Sequence, residues 1–136
     1  MSSGSDTSRS GKRPMIVLAV LHGLYNMIGG LWPLLHMDSF EIVTGPKRDE
    51  WLVRTVAGIL LFIGLLLLHD ALVRRRVDRT LRLVAGGIAG VLGIVAVAGS
   101  LTRVISFVYT VDGTIHCLFC VAWAVLHFRS IGTARS

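Results

Sequence analysis

Two cysteines, Cys117 and Cys120, stand three apart near the end of the chain with His116 immediately before them. A Cys-x-x-Cys pair can shuttle between dithiol and disulfide when its thiolates are stabilised. Three soft ligands in a row also suggest metal, but His116, Cys117 and Cys120 would need a fourth ligand and deprotonated thiols in an apolar setting. No metal site and no cofactor is expected from them. Small buried cysteines acting as plain packing groups are the simpler reading.

A second set of residues is acid–base in character. Asp112 and His116 are four apart, so on a helix they point the same way. A carboxylate beside an imidazole orients the ring and raises its basicity. His22 and Asn26 share the same four-residue spacing, with Tyr25 adjoining them. Arg54 and Arg103 complete the list of charged groups in otherwise apolar surroundings. Asp112 could neutralise either arginine as a clamp between helix ends, or the three could rim an anion or headgroup pocket. Charge at membrane depth is costly and marks a functional hypothesis by default.

The elements that must position these residues are four apolar runs, at about 14–36, 51–69, 83–107 and 111–128. Each approaches the ~20 residues needed to cross a hydrocarbon core. The 136-residue chain is 53% hydrophobic with a mean hydropathy of +0.69 and only 16% charged, against about 25% in soluble domains. Ile59–Leu68 reads ILLFIGLLLL, with no polar face, which a soluble amphipathic helix would require. The fold expected is therefore an all-α membrane protein, a four-transmembrane-helix bundle over residues 14–129. Residues 1–13 read as a disordered N-terminal tail, because they hold too little apolar surface to offset ordering entropy. Residues 130–136 read as a C-terminal tail. The first run is too long for the core of a cleaved signal peptide and no small-x-small site ends it, so it is expected to be retained.

Pro14 suits a first helical turn. Pro33, following Gly29 and Gly30, predicts a kink or an early end near Leu31, because it removes a backbone bond. Trp32 would then sit in an interfacial aromatic belt. In the connection 37–50, Thr44-Gly45-Pro46 marks a turn, and Phe40, Ile42 and Val43 suggest a segment packed on the bundle or lying in the interface. On the third run Gly86 with Gly90, and Ala89 with Gly93 one register on, have the spacing that lets two helix backbones approach closely. Packing within the bundle is one use for them. Contact with a second copy or another membrane protein is the other.

Charge gives an orientation. By alternation, the tails and the loop holding Arg74, Arg75, Arg76, Arg79 and Arg82 share one side and carry ten of the fourteen basic residues. The positive-inside rule puts that side, and both termini, in the cytoplasm. This also accounts for the net charge of +6. Basic residues interleaved with aromatics for stacking bases are lacking, so the bilayer rather than nucleic acid is the expected partner.

Ser39-Phe40-Glu41-Ile42-Val43-Thr44-Gly45-Pro46-Lys47, then Asp49, Trp51-Leu52-Val53 and Thr55-Val56, resembles a motif of small four-helix bacterial membrane proteins. Ile105-Ser106 with Tyr109, Asp112 and Trp123 resembles the last helix of the same family. The likeness spans most of residues 16–128, and the layout is similar to the broad DoxX-like group at the level of fold. It implies a four-helix inner-membrane protein and carries no activity with it. His116 and the cysteine pair lie outside the motif. In layout the chain is also similar to vitamin K epoxide reductase and the quinone-coupled disulfide formers. Those enzymes use a second cysteine pair in an external loop, and this chain has only two cysteines.

The reading that follows is a binding, accessory or small transport-type protein, not an enzyme. Its candidate site is an outward-facing polar pocket of Arg54, Arg103, Asp112, His116, His22 and Asn26. A thiol oxidoreductase using Cys117 and Cys120, and a structural subunit docking through the third-helix glycines, are the alternatives.

Overall fold

The structure, a computed structural model, describes the backbone of residues 6–132 and the side chains of residues 13–132. All regular structure among the described residues is helical: α1 (Asp6–Leu35), α2 (Met37–Thr44), α3 (Glu50–Leu72), α4 (Arg79–Leu101) and α5 (Val108–Gly132). Four of these helices are long and apolar enough to cross a membrane. No more than 28% of any such window is buried inside the protein. The rest is a continuous apolar coat, including Leu21, Ile28, Phe62, Ile94 and Val121, of a size that soluble monomers do not expose.

Several boundaries differ from expectation for physical reasons. The segment read as a tail is helical from Asp6; its first five residues, like 133–136, lie outside the described residues. Extending an existing helix adds one bond per residue without a new nucleation cost, so a polar stretch can continue an apolar helix. Pro33 does not end α1, which runs on to Leu35. The connection 37–50 contains the unforeseen α2, which buries Met37 and Thr44, seven apart on one face. Gly45 closes it at φ 87°, a left-handed-side conformation that glycine adopts without steric cost. Trp32 donates to Ser39 Oγ at 2.9 Å and meets the Phe40 ring edge-on, which holds α2 against the end of α1.

The helices pair in two antiparallel hairpins. α1 lies along α3 and α4 along α5, and the hairpins meet chiefly through α1 and α5. Glycines set both close approaches. A methyl group at Gly30 would stand 2.5 Å from the Ala57 carbonyl oxygen, and one at Gly64 would stand 2.7 Å from that of Gly23. On the other hairpin, a methyl at Gly93 would lie 2.6 Å from Cys117 Sγ and 2.9 Å from the Gly113 oxygen. Gly90 faces Cys120 and Gly86 faces Trp123. The glycine face considered for a partner is thus occupied within the chain by α5. Without a hydrophobic force between helices in lipid, such backbone proximity is a main source of association.

The arginine loop has an anchor that composition did not single out. Asp70, 5% exposed, accepts from Arg74 Nη1 and from the Asp78 amide, each at 3.2 Å. Asp78 in turn caps α4 by accepting from the Thr80 amide. A buried carboxylate with two donors therefore sets the turn from α3 into α4.

Candidate functional site

The seam between the hairpins is polar. On α5, Asp112, His116, Phe119 and Trp123 fall at spacings of four, three and four, which makes one stripe along a helix. On α1, His22, Tyr25 and Asn26 form the facing patch. From Asp112 to Trp123 the stripe rises about 16 Å, roughly half of a ~30 Å hydrocarbon core.

At the mouth of the seam the Tyr25 hydroxyl donates to Asp112 Oδ1 at 2.5 Å. His116 Nε2 lies 3.9 Å from the same oxygen. That is beyond hydrogen-bond range but short enough for charge attraction or a bridging water. The Asp112 side chain is 41% exposed and that of His116 only 3%. The His116 ring stands edge-on to Tyr25, 5.3 Å between centroids, and edge-on to His22 at 6.2 Å. Phe119 stacks on His22 at 4.3 Å and so forms the apolar wall of this column.

At the inner end Trp123 Nε1 donates to His22 Nδ1 at 3.0 Å. An indole N–H can only donate, so Nδ1 is the acceptor and a neutral His22 carries its proton on Nε2. The Asn26 carboxamide is 3.3 Å from Nε2. With its nitrogen toward the ring two donors face one another, and Asn26 Oδ1 is buried without a partner among the described residues. Half a turn of the amide puts the oxygen on Nε2–H and resolves both. His116 Nδ1 is also buried and unpartnered. Native interiors leave few such atoms, and each calls for an explanation.

Of the residues expected to form the site, Asp112, His116, His22 and Asn26 come together. Arg54 and Arg103 do not join them. Arg54 pairs one turn back with Glu50 at 3.2 Å, both side chains 53% exposed. Arg103 is exposed in the α4–α5 link at φ 58°. The expected Arg54–Arg103–Asp112 clamp is therefore corrected: Asp112 is satisfied by Tyr25, and the arginines extend to where their charge is solvated. Cys117 and Cys120 are free thiols turned toward α4, with Sγ against Gly93 and Gly90. His116 faces α1 instead, so the His-Cys-Cys run does not act as one cluster. Among the described residues no three His, Cys, Asp or Glu groups converge as metal ligands.

Tyr25 and Trp123 are the seam residues that sequence reasoning undervalued. The Asp112–His116–Phe119–Trp123 spacing was the available signal, because it extends a polar pair into a stripe. Comparison of the chain with protein-family models, with curated proteins and with solved structures finds no match.

Proposed function

We propose that this is a small multi-pass protein of a bacterial inner membrane, of transport type, in which the α1–α5 seam takes up protons from the Asp112 end. The observation that carries this reading is the gradient of burial along one line of exchangeable groups. A part-exposed carboxylate leads past Tyr25 and His116 to His22, which is 1% exposed. Chains of Asp and His across a bilayer are the usual parts of proton relays. The unpartnered His116 Nδ1 is a position where a water would complete the chain.

The line stops at Trp123. Its indole N–H donates but cannot accept, and its ring packs in the apolar core with Ala19, Leu67, Ala71 and Ala85. The seam is thus a half-path: protons enter and leave on one side, which suits coupling to another movement rather than conduction. By the positive-inside rule the entry faces outward and both termini face the cytoplasm. Kinship with the small four-helix bacterial proteins named above belongs to the same proposal.

The test is proton uptake by full-length protein in weakly buffered liposomes, followed with an indicator dye after a pH jump. Uptake should fall in Asp112→Asn, and an imposed pH gradient should not drain. A sustained leak, or unchanged uptake in Asp112→Asn, would overturn the reading.

A second reading has its own support. Because the hairpins meet chiefly at this seam, Tyr25–Asp112 and Trp123–His22 also serve as a structural clamp. Asp112→Asn separates the two, since an amide oxygen can still accept from Tyr25 while the ionisable group is lost.

A further inference from the structure

At the opposite end of the bundle, residues of α4 and α5 line a cavity of about 200 Å³. Its lining includes Arg82, Gly86, Cys120, Trp123, His127 and Phe128. Arg82 Nε and His127 Nδ1 are both buried and without partners among the described residues. Arg82 Nη1 reaches Met15 Sδ at 3.3 Å and Ser130 Oγ at 3.5 Å. Neither group is anionic, so neither balances the guanidinium. Arg54 and Arg74, by contrast, each meet a carboxylate.

The surroundings of this charge are apolar. Leu83, Gly86, Gly87, Ala124 and Phe128 form the walls. Nothing lies within 4 Å of the space a methyl at Gly87 would fill, and Phe128 is 70% exposed. Arg82 is in the first turn of α4, and so lies near the level of lipid headgroups if α4 spans. A fixed cation with a free N–H, beside a second N-bearing ring and a groove open to the bilayer, fits a ligand with an anionic head and an apolar tail. Basic pockets between membrane helices recognise anionic lipid headgroups in this manner, and guanidinium–phosphate bonds are among the stronger charge-assisted ones.

We propose that Arg82 and His127 hold the phosphate of an anionic phospholipid, whose acyl chain lies in the groove along Gly87 and Phe128. This site is separate from the proton seam, although the Trp123 ring contributes to both.

Cys120 lines the cavity and reports on it. The full chain carrying Cys117→Ala, so that Cys120 is the single thiol, is purified in neutral detergent and its alkylation rate followed. Phosphatidylglycerol should slow the reaction several-fold, whereas phosphatidylcholine and inorganic phosphate should not, and Arg82→Gln should abolish the protection. Equal protection by phosphatidylcholine would reduce the groove to ordinary lipid contact. Protection by inorganic phosphate alone would remove the need for a tail, and an unreactive Cys120 in lipid-free micelles would remove the open cavity; each overturns the proposal. Should Arg82→Gln fail to fold, the Cys117→Ala chain decides by salt. Protection by phosphatidylglycerol must weaken as ionic strength rises, and protection indifferent to salt contradicts a charge-held headgroup.

Discussion

Asp112 is the residue on which the seam turns, because one carboxylate oxygen accepts from the Tyr25 hydroxyl and lies 3.9 Å from His116 Nε2. Interhelical hydrogen bonds in membranes contribute about 0.6 kcal/mol on average and seldom more than ~1.7. A bond to an ionised group is at the upper end. Tyr25→Phe should therefore destabilise the protein by about 1–2 kcal/mol, read as a lower midpoint of unfolding in detergent. Asp112→Asn should cost less than Tyr25→Phe, since the acceptor is kept. The reverse order would mean that the charge of Asp112, not its bond to Tyr25, holds the hairpins together. These residues were partly legible from the chain alone. Ionisable side chains in apolar runs are rare enough to notice, and helical spacing joined Asp112 to His116 and His22 to Asn26. The direction each arginine takes was not legible. A long side chain near a helix end is free to reach water, and Arg54 finds Glu50 on its own helix rather than Asp112 on another.

At the scale of elements, the four long helices were readable because a run such as Ile59–Leu68 has no polar face in any register. The short α2 was not, since eight residues with two buried positions give too little periodicity to separate a helix from a packed loop. Pairing of helices was readable only in outline. Glycine spacing on α4 announced a close approach but did not name α5 as the neighbour, and the equivalent approach of Gly23 and Gly30 to α3 gave no such regular signal. The packing itself makes a sharp contrast. Gly30→Ala forces a methyl against the backbone of Ala57 and Leu61, at 2.5 and 2.8 Å, neither of which is a flexible side-chain end. It should cost about 1–3 kcal/mol. Gly87→Ala meets nothing within 4 Å and should leave stability unchanged or slightly raised, because alanine is the better helix former. Equal thermal midpoints for the two variants would contradict the tight α1–α3 contact.

For the whole molecule, three helix ends gather on one side: Arg82 at the start of α4 reaches both Met15 at the start of the α1 span and Ser130 at the end of α5. The loop pinned by Asp70 belongs to that side, and α2, Lys47 over the Tyr109 ring, and Asp112 to the other. A reporter fused after Ser136 that works only in the cytoplasm should be active, and one that works only outside should be silent; the opposite pattern would invert the proposed direction of proton entry. In the proposed orientation the two faces divide the chemistry, with an acid–imidazole seam opening outward and an arginine-lined groove at the cytoplasmic leaflet. The central claim is that the two buried imidazoles differ in kind: His116 communicates with bulk protons through Asp112, while His22 is held by Trp123. Nitrogen-15 NMR of histidine-labelled protein in liposomes tests this most directly. The account predicts that the His116 resonances change in Asp112→Asn, and that His22 shows the tautomer protonated on Nε2. A His22 protonated on Nδ1, or a His116 indifferent to Asp112→Asn, would contradict it.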